Sequence, residues 1–426
     1  MSSPVNRRRF LNTAAVATTV AGSTLTSQVR AADSANEKVV VGVMGLSRGR
    51  ALAVSFAKRP NVEIKYVCDV DSERAASAAK LISGAVDKAP QAIGDFRKIL
   101  DDKSVDALVC AAPNHWHAPA TILGVQAGKN VYVEKPCSHN AQEGEWMIAA
   151  ARKHKRAVQM GSQRRSGIAI SEGIQRVQEG AIGKVYLARA WYHNARGSIG
   201  TGKPADVPGR LDYDLWQGPA PRTPYMDNRV HYNWHWFWHW GNGELGNNGI
   251  HSLDVCRWGM QVEYPTRVTS SGGRYHHQDD QQTPDTHSVA FEFAGGKQIT
   301  WQGLSCNRNG SGFVKFYGTK GCLEIIDNGY VIYDPKNKEI DRKTASRGDI
   351  EHIDNFLNAI RNDKPLELNA EIAIGHRSTM LCHLGNIAQR TGRSLNCSPE
   401  NGHIIGDAEA MKLWGRQYDP KWKPTV

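Results

Sequence analysis

"KVVVGVMGLSRGRALAVSFAKRPNVEIKYVCD", residues 38–69, decides the fold. An apolar run (38–44) of buried-strand length breaks at Gly45-Leu46-Ser47-Arg48-Gly49, a helical pattern follows, and a second apolar run (62–68) ends at Asp69. Strand, glycine turn, helix and parallel strand form a βαβ unit. A dinucleotide site needs glycines in that turn: one for the bend, one for close approach of the pyrophosphate, one for helix-on-strand packing. Here Gly45 is kept, Ser47 stands at the second position, and Gly49 comes one residue before the usual third glycine. Asp69, ending the second strand, suits the adenosine ribose hydroxyls and repels a 2′-phosphate, which favours NAD over NADP. Arg48 is the competing feature, a cation in the loop able to pair with that phosphate. Asp69 also reads as a helix cap before "DSERAA".

Two more apolar runs, 106–112 and 130–136, and two helical patterns, 74–82 and 118–128, extend the alternation into a doubly wound parallel sheet over 38–157. Gly128 stands where a helix C-cap belongs. Loops 111–119 and 133–146 leave strand carboxyl ends, where such sheets bind ligands; in the second, Asn140 and Glu143 read as a capping box. These loops carry Pro113, Asn114, His117, Glu134, Lys135 and Pro136. The Glu-Lys-Pro after an apolar strand, preceded by Pro-Asn and His, resembles the glucose–fructose oxidoreductase/inositol dehydrogenase/MocA (Gfo/Idh/MocA) family, and the likeness runs from about Lys38 to the end. The resemblance implies a nicotinamide cofactor across the strand ends, contacted by Gly45, Ser47, Arg48, Gly49, Asp69, Pro113, Asn114, His117, Glu134 and Lys135. It also sets Lys135 beside the nicotinamide and the substrate, where a cationic amine stabilises a developing alkoxide. Read without the resemblance, Lys135 is a surface lysine paired with Glu134.

Residues 158–426 change character. Strand-like segments with glycine turns (184–194, 266–275, 287–296, 297–304, 313–327, 330–335) predict an α+β domain with a large, mostly antiparallel open sheet. The resemblance implies that the sheet's free face makes a homo-oligomer. The Gly- and Pro-rich stretch 197–224 is a long loop, a feature that is usually functional. Beyond it, "WHWFWHWGNGELGNNGIH" (234–251) holds four of the twelve tryptophans. By resemblance, Asn247, Gly249 and His251 stand where the family has Asp-x-Gly-x-His facing the nicotinamide; the histidine is kept and the acid is not. His251 then serves as general acid/base, or is a structural histidine. If extended, the stretch puts all four indoles on one face. They are then core filling, or a wall for the apolar face of a sugar, with Trp238 and Trp240 nearest the catalytic helix and Trp234 and Trp236 packing. Arg164, Tyr192 and His193 approach as further substrate contacts, with Asn247 and His251. No histidine pair at helical spacing joins a third acid, so no metal is expected.

The ends and the composition bound the setting. Arg7-Arg8-Arg9, Phe10-Leu11, an acid-free Ala/Thr run and Val29-Arg30-Ala31 read as a twin-arginine export signal over 1–31, which implies a periplasmic or otherwise exported protein. The formal charge of +11 loses four positive residues with that signal, and the rest form no long run, so no nucleic-acid partner is expected. No other segment reaches membrane-helix length. The eight cysteines lack a CxxC pair. Three functions remain open: an NAD-dependent oxidoreductase on a sugar, polyol or glycoside with tightly held cofactor; a redox-neutral, NAD-dependent glycoside-cleaving enzyme; and a non-catalytic sugar-binding protein on the same scaffold.

Overall fold

The computed structural model describes residues 38–426, apart from Asp87; the export signal expected over 1–31 lies outside them. Six parallel strands form the first sheet: β1 (Val39–Met44), β2 (Val62–Cys68), β3 (Gln91–Ile93), β4 (Ala107–Cys110), β5 (Asn130–Val133) and β6 (Val158–Met160). Their order is β3-β2-β1-β4-β5-β6, so the winding reverses between β1 and β4 and opens a crevice at their carboxyl ends. The central strands β1 and β4 are continuous apolar runs because helices cover both faces, whereas β2, nearer the edge, carries Glu63 and Lys65. Val41, Val43, Phe56, Tyr132 and Phe356 pack on one side; Leu108, Ile122, Val131 and Met147 pack on the other.

The division at 157 needs correction on two counts. β6 closes the first sheet beyond the expected limit at 157, as three residues too few to show a period. In addition, helix Asp349–Arg361, far along the chain, returns to this sheet and buries Phe356 and Leu357 against it. The segment 158–426 is therefore not wholly a second domain. Helix Ser72–Ser83 is capped by Asp71, which accepts from the N–H groups of Glu73 (3.0 Å) and Arg74 (3.2 Å), and Asp69 is free of that duty. Asn140 caps helix Ala141–His154 as read, but Glu143 reaches back to the N–H of His139, one residue before the cap.

The second sheet holds β7 (Val185–Ala195), β8 (Arg267–Gly273), β9 (Thr286–Phe293), β10 (Lys297–Leu304), β11 (Cys306–Asn307), β12 (Val314–Gly318), β13 (Gly321–Ile326), β14 (Gly329–Tyr333), β15 (Glu339–Thr344), β16 (Leu395–Cys397) and β17 (Ile404–Ile405). It runs β15-β14-β13-β12-β7-β10-β9-β8-β16-β17 with β11 paired to β7, antiparallel except where β10 lies parallel to β7. Helices Ile250–Met260 and Ile372–Thr391 cover one face, burying Phe291, Ile299, Trp301 and Phe316. The described residues leave the other face uncovered, which accounts for the alternating burial along β9. Segment 197–240 folds over the crevice on its own small aromatic core, built from Leu211, Tyr213, Trp216, Trp234, Phe237 and Trp240.

Candidate active site

One cavity of about 430 Å³ runs along the carboxyl ends of the first sheet, from the glycine turn to helix Ile250–Met260. At the turn, Gly45 has φ +84°, and a Cβ there would lie 2.5 Å from the amide nitrogen of Ala112. Only glycine fits, so the backbone stays open to a ligand. At Gly49 a Cβ would meet Val43 (3.1 Å) and Ala111 (3.3 Å), the helix–strand closeness expected of the third glycine. Ser47 precedes helix Arg48–Ala57 without capping it, so its first-turn N–H groups are left for an anion. Asp69 Oδ2 accepts from the N–H of Leu46 (2.9 Å), which ties the turn to β2. This cradle fits a dinucleotide.

Arg48 is not the cation beside Asp69. It pairs with Glu134 (3.3 Å) and Asp349 (3.6 Å). Arg74, which sequence reading passed over, takes that place: its Nε lies 3.2 Å from Asp69 Oδ2, and its Nη2 donates to Ser47 Oγ at 2.7 Å.

Pro113 and Asn114 start the helix Asn114–Gln126, and Asn114 donates to Asn242 Oδ1 (2.9 Å), which joins the two halves of the crevice. His117 is buried, with its ring nitrogens 2.7 Å from the carbonyl of Ala112 and 2.6 Å from that of Pro136. It pins the Glu-Lys-Pro loop to the end of β4. The Lys135–Pro136 bond is cis. Glu134 accepts from the N–H of Lys135 (3.1 Å) and lines the cavity.

At the far end Lys135, Asn247 and His251 converge on the cavity. Lys135 Nζ donates to the carbonyl of Asn247 (2.7 Å) and reaches its Oδ1 (3.3 Å). Burial lowers the lysine pKa, opposed by Glu134 and Glu244. Among the described residues the ring of His251 has no hydrogen-bond partner; burial, then the positive charges of Lys135, Arg164 and Arg48, hold its pKa well below the ordinary imidazole value. It is therefore a neutral base at neutral pH. Buried Glu244, one turn before Asn247, accepts from Asn247 Nδ2 (3.4 Å) and pairs with Arg196 (2.6 Å); it holds Asn247 and is not among the residues that line the cavity. Sequence reading missed both; Glu244 was visible within "GNGELGNNGIH" at helical spacing from Asn247, whereas Arg196 gives no local signal.

The tryptophans depart from expectation. Asn233–Trp236 is a 3₁₀ turn, not a strand, so the indoles do not share a face. Trp234, with Trp216 and His235, lines the cavity; Trp238 and Trp240 do not. Trp240 is 1% exposed and packs on Trp216 and Phe237. Trp238 lies under the Arg390 guanidinium in a separate cavity. Arg164, Tyr192 and His193 also fall outside the lining: Arg164 donates to the carbonyl of Asp327 over the Phe313 ring, and Tyr192 hydroxyl accepts from Asn194 and Arg196. Trp240→Ala is expected to destabilise by about 3–5 kcal/mol, with substrate affinity falling only in step. Trp234→Ala is expected to cost more affinity than its loss of stability explains, and Trp238→Ala to leave affinity unchanged. Melting temperature and substrate affinity, measured for each variant, check this; a clear affinity loss for Trp238→Ala alone would reverse the assignment.

Residues 37–162 match the family described as "Oxidoreductase family, NAD-binding Rossmann fold", and residues 187–424 match its "C-terminal alpha/beta domain". Inositol 2-dehydrogenase of Salmonella typhimurium is 30% identical over 159 residues, 37% of this chain and 45% of that protein. A glycosyl hydrolase family 109 protein of Saccharopolyspora erythraea is 30% identical over 176 residues, 36% of this chain and 38% of its own. The matches span less than half the length of these relatives. Among solved structures, the WlbA dehydrogenase of Bordetella pertussis in complex with NADH and UDP-GlcNAcA shares the fold, with TM-score 0.63, 20% identity, and coverage of 85% of this chain and 99% of that one. With both domain types matched in order, the chain belongs to the Gfo/Idh/MocA oxidoreductase family and carries its NAD-binding Rossmann domain.

Proposed function

We propose that this protein is an exported NAD-dependent oxidoreductase that acts on a CH–OH group of a sugar, polyol or glycoside and keeps its cofactor tightly held. One observation carries the reading: a single cavity links the dinucleotide cradle to Lys135, Asn247 and His251, beside the indoles of Trp216 and Trp234. The bound nicotinamide supplies the hydride acceptor. The chain's own residues do the rest. His251, neutral and unpartnered, takes the hydroxyl proton; Lys135, held by Asn247, stabilises the alkoxide. Indole faces suit the C–H faces of a sugar ring. The twin-arginine segment supports export, and scarcity of free coenzyme outside the cytoplasm supports a retained cofactor. The uncovered face of the second sheet, with Leu187, Trp191 and Thr300, supports a homo-oligomer.

Asp69 is expected to make NAD bind at least about tenfold, roughly 1.4 kcal/mol, more tightly than NADP. Asp69→Ser frees Arg74 for a 2′-phosphate and is expected to narrow or invert that ratio. Calorimetry on cofactor-stripped protein checks it; an unchanged ratio would remove Asp69 from coenzyme choice.

A second reading is redox-neutral glycoside cleavage. Oxidation beside the glycosidic carbon acidifies the neighbouring C–H, elimination follows, and the hydride returns. The neutral base His251 beside a cationic lysine and the likeness to a glycosyl hydrolase family 109 protein favour it. An anaerobic nitrophenyl glycoside assay without added acceptor separates the two. Nitrophenol release with no net NADH supports cleavage, and NADH formation without release supports net oxidation. Sugar binding by native protein that yields no nicotinamide on denaturation, and gains none on titration, would overturn both and leave a binding protein.

A further inference from the structure

The turn between β8 and β9 sets two adjacent histidines, His276 and His277, against Cys306 of β11. One donor atom from each lies within 4.8 Å of the other two, and the thiol is free. We propose that His276, His277 and Cys306 bind a thiophilic transition ion of the zinc class. A thiolate with two imidazoles is a set that Zn²⁺ favours and that hard, oxygen-seeking Mg²⁺ or Ca²⁺ does not.

Two features of the surroundings support a built site. His277 Nε2 lies 3.2 Å from the carbonyl of Arg196. Donating its proton there leaves Nδ1 as the ligand atom, the outer-sphere arrangement that orients metal-bound histidines. The turn is also anchored: Asp285 accepts from the N–H groups of Tyr275 (3.1 Å) and His276 (3.2 Å) and pairs with Arg274 (3.1 Å). Three protein ligands leave a fourth position for water or another small donor, and His276 is exposed, so the ion has an entry path.

The position gives the site a reach. Cys306 pairs with Ala195 of β7, and the N–H of Arg196 bonds the carbonyl of Ser305 (2.9 Å). An ion there joins the turn to the strand end that presents Arg196 to Glu244. Binding converts the Cys306 thiol to a metal-bound thiolate and releases its proton to solvent; no electron moves. Sequence reading had no means to find the cluster, because adjacent histidines and a distant cysteine match no ligand spacing.

The test uses tag-free protein, stripped with chelator and otherwise intact. Zn²⁺ is titrated by calorimetry in two buffers of different ionisation enthalpy, and Co²⁺ is followed by its thiolate charge-transfer absorption. About one equivalent of Zn²⁺, a released proton and the Co²⁺ band are expected. Cys306→Ser is expected to abolish the band and weaken Zn²⁺ binding by about 10²-fold or more, and His276→Ala to weaken it. Cys322→Ser, a partly buried cysteine elsewhere on the sheet, is expected to keep both signals. Melting curves of each variant without metal establish that it is folded. No saturable Zn²⁺ binding, or binding unchanged in folded Cys306→Ser, overturns the proposal.

Discussion

Lys135→Met and His251→Ala are each expected to lower turnover by about 10²- to 10⁴-fold while the cofactor stays bound. Neither residue forms the dinucleotide cradle at Gly45 and Asp69, and each meets the far end of the same cavity. The two losses should not add, because the proton and the developing charge belong to one oxygen. The pH profile adds a sharper check. A base lowered well below the ordinary imidazole range stays unprotonated as pH falls through about 6.5. The acid limb of kcat is therefore expected below that range. Asn247→Asp probes the lysine instead of the histidine, since Asn247 Oδ1 faces Lys135 Nζ at 3.3 Å. A carboxylate there favours the charged amine and moves the alkaline limb upward, less whatever repulsion from nearby Glu244 takes back. Full turnover in either truncation removes that residue from the chemistry. An unmoved alkaline limb in Asn247→Asp means that Lys135 does not set it.

The sequence made some of this legible and hid the rest for physical reasons. β1, β4 and β5 stood out because a sheet buried on both faces needs apolar runs, and β2 by its β-branched and aromatic residues ending at Asp69; β3 and β6 did not, being three residues each. Gly45, Asp69, Lys135 and His251 were legible because each lies at a strand end or helix start that local pattern predicts, and all four line the cavity. Arg196 and Trp216 were not, since only tertiary folding brings them near; Arg74, five residues past Asp69, was within local reach and was overlooked. The tryptophan stretch misled through its period. Alternation signals a strand only where hydrogen-bonded neighbours exist, and here the backbone turns to build the aromatic core of the covering segment, so Trp234 instead of Trp238 reaches the cavity.

Stability is expected to fall steeply as pH drops from about 6.5 to 4.5. Buried histidines are the reason, the following four among them. Burial lowers His287, His352 and His376 to about 4 and His383 to about 3. In the unfolded chain each titrates near its ordinary value of about 6.5. Below that pH the unfolded state takes up protons that the folded state refuses until its own lowered pKa is reached. The stabilisation is thus complete above about 6.5 and is lost as pH falls toward 4, by up to about 1.4 kcal/mol per pH unit for each histidine. Unfolded carboxylates are half-titrated near about 4 and begin to take up protons only near about 5, so the histidines dominate the upper part of this window. The hydrogen bonds fit neutral rings: His352 Nε2 faces the carbonyl of Met160 at 2.9 Å, and its Nδ1 faces the Ser166 hydroxyl at 2.8 Å, as a donor on one side and an acceptor on the other. Denaturant melts at several pH values give the proton uptake on unfolding from the slope, with two or more protons expected between pH 6.5 and 4.5. His376, whose buried Nδ1 has no hydrogen-bond partner among the described residues, is the informative position. His376→Leu deletes one titrating ring without orphaning a polar group, and is expected to flatten the slope by about one proton. A slope near zero in the parent protein would mean that these rings are already protonated in the fold, or are open to solvent.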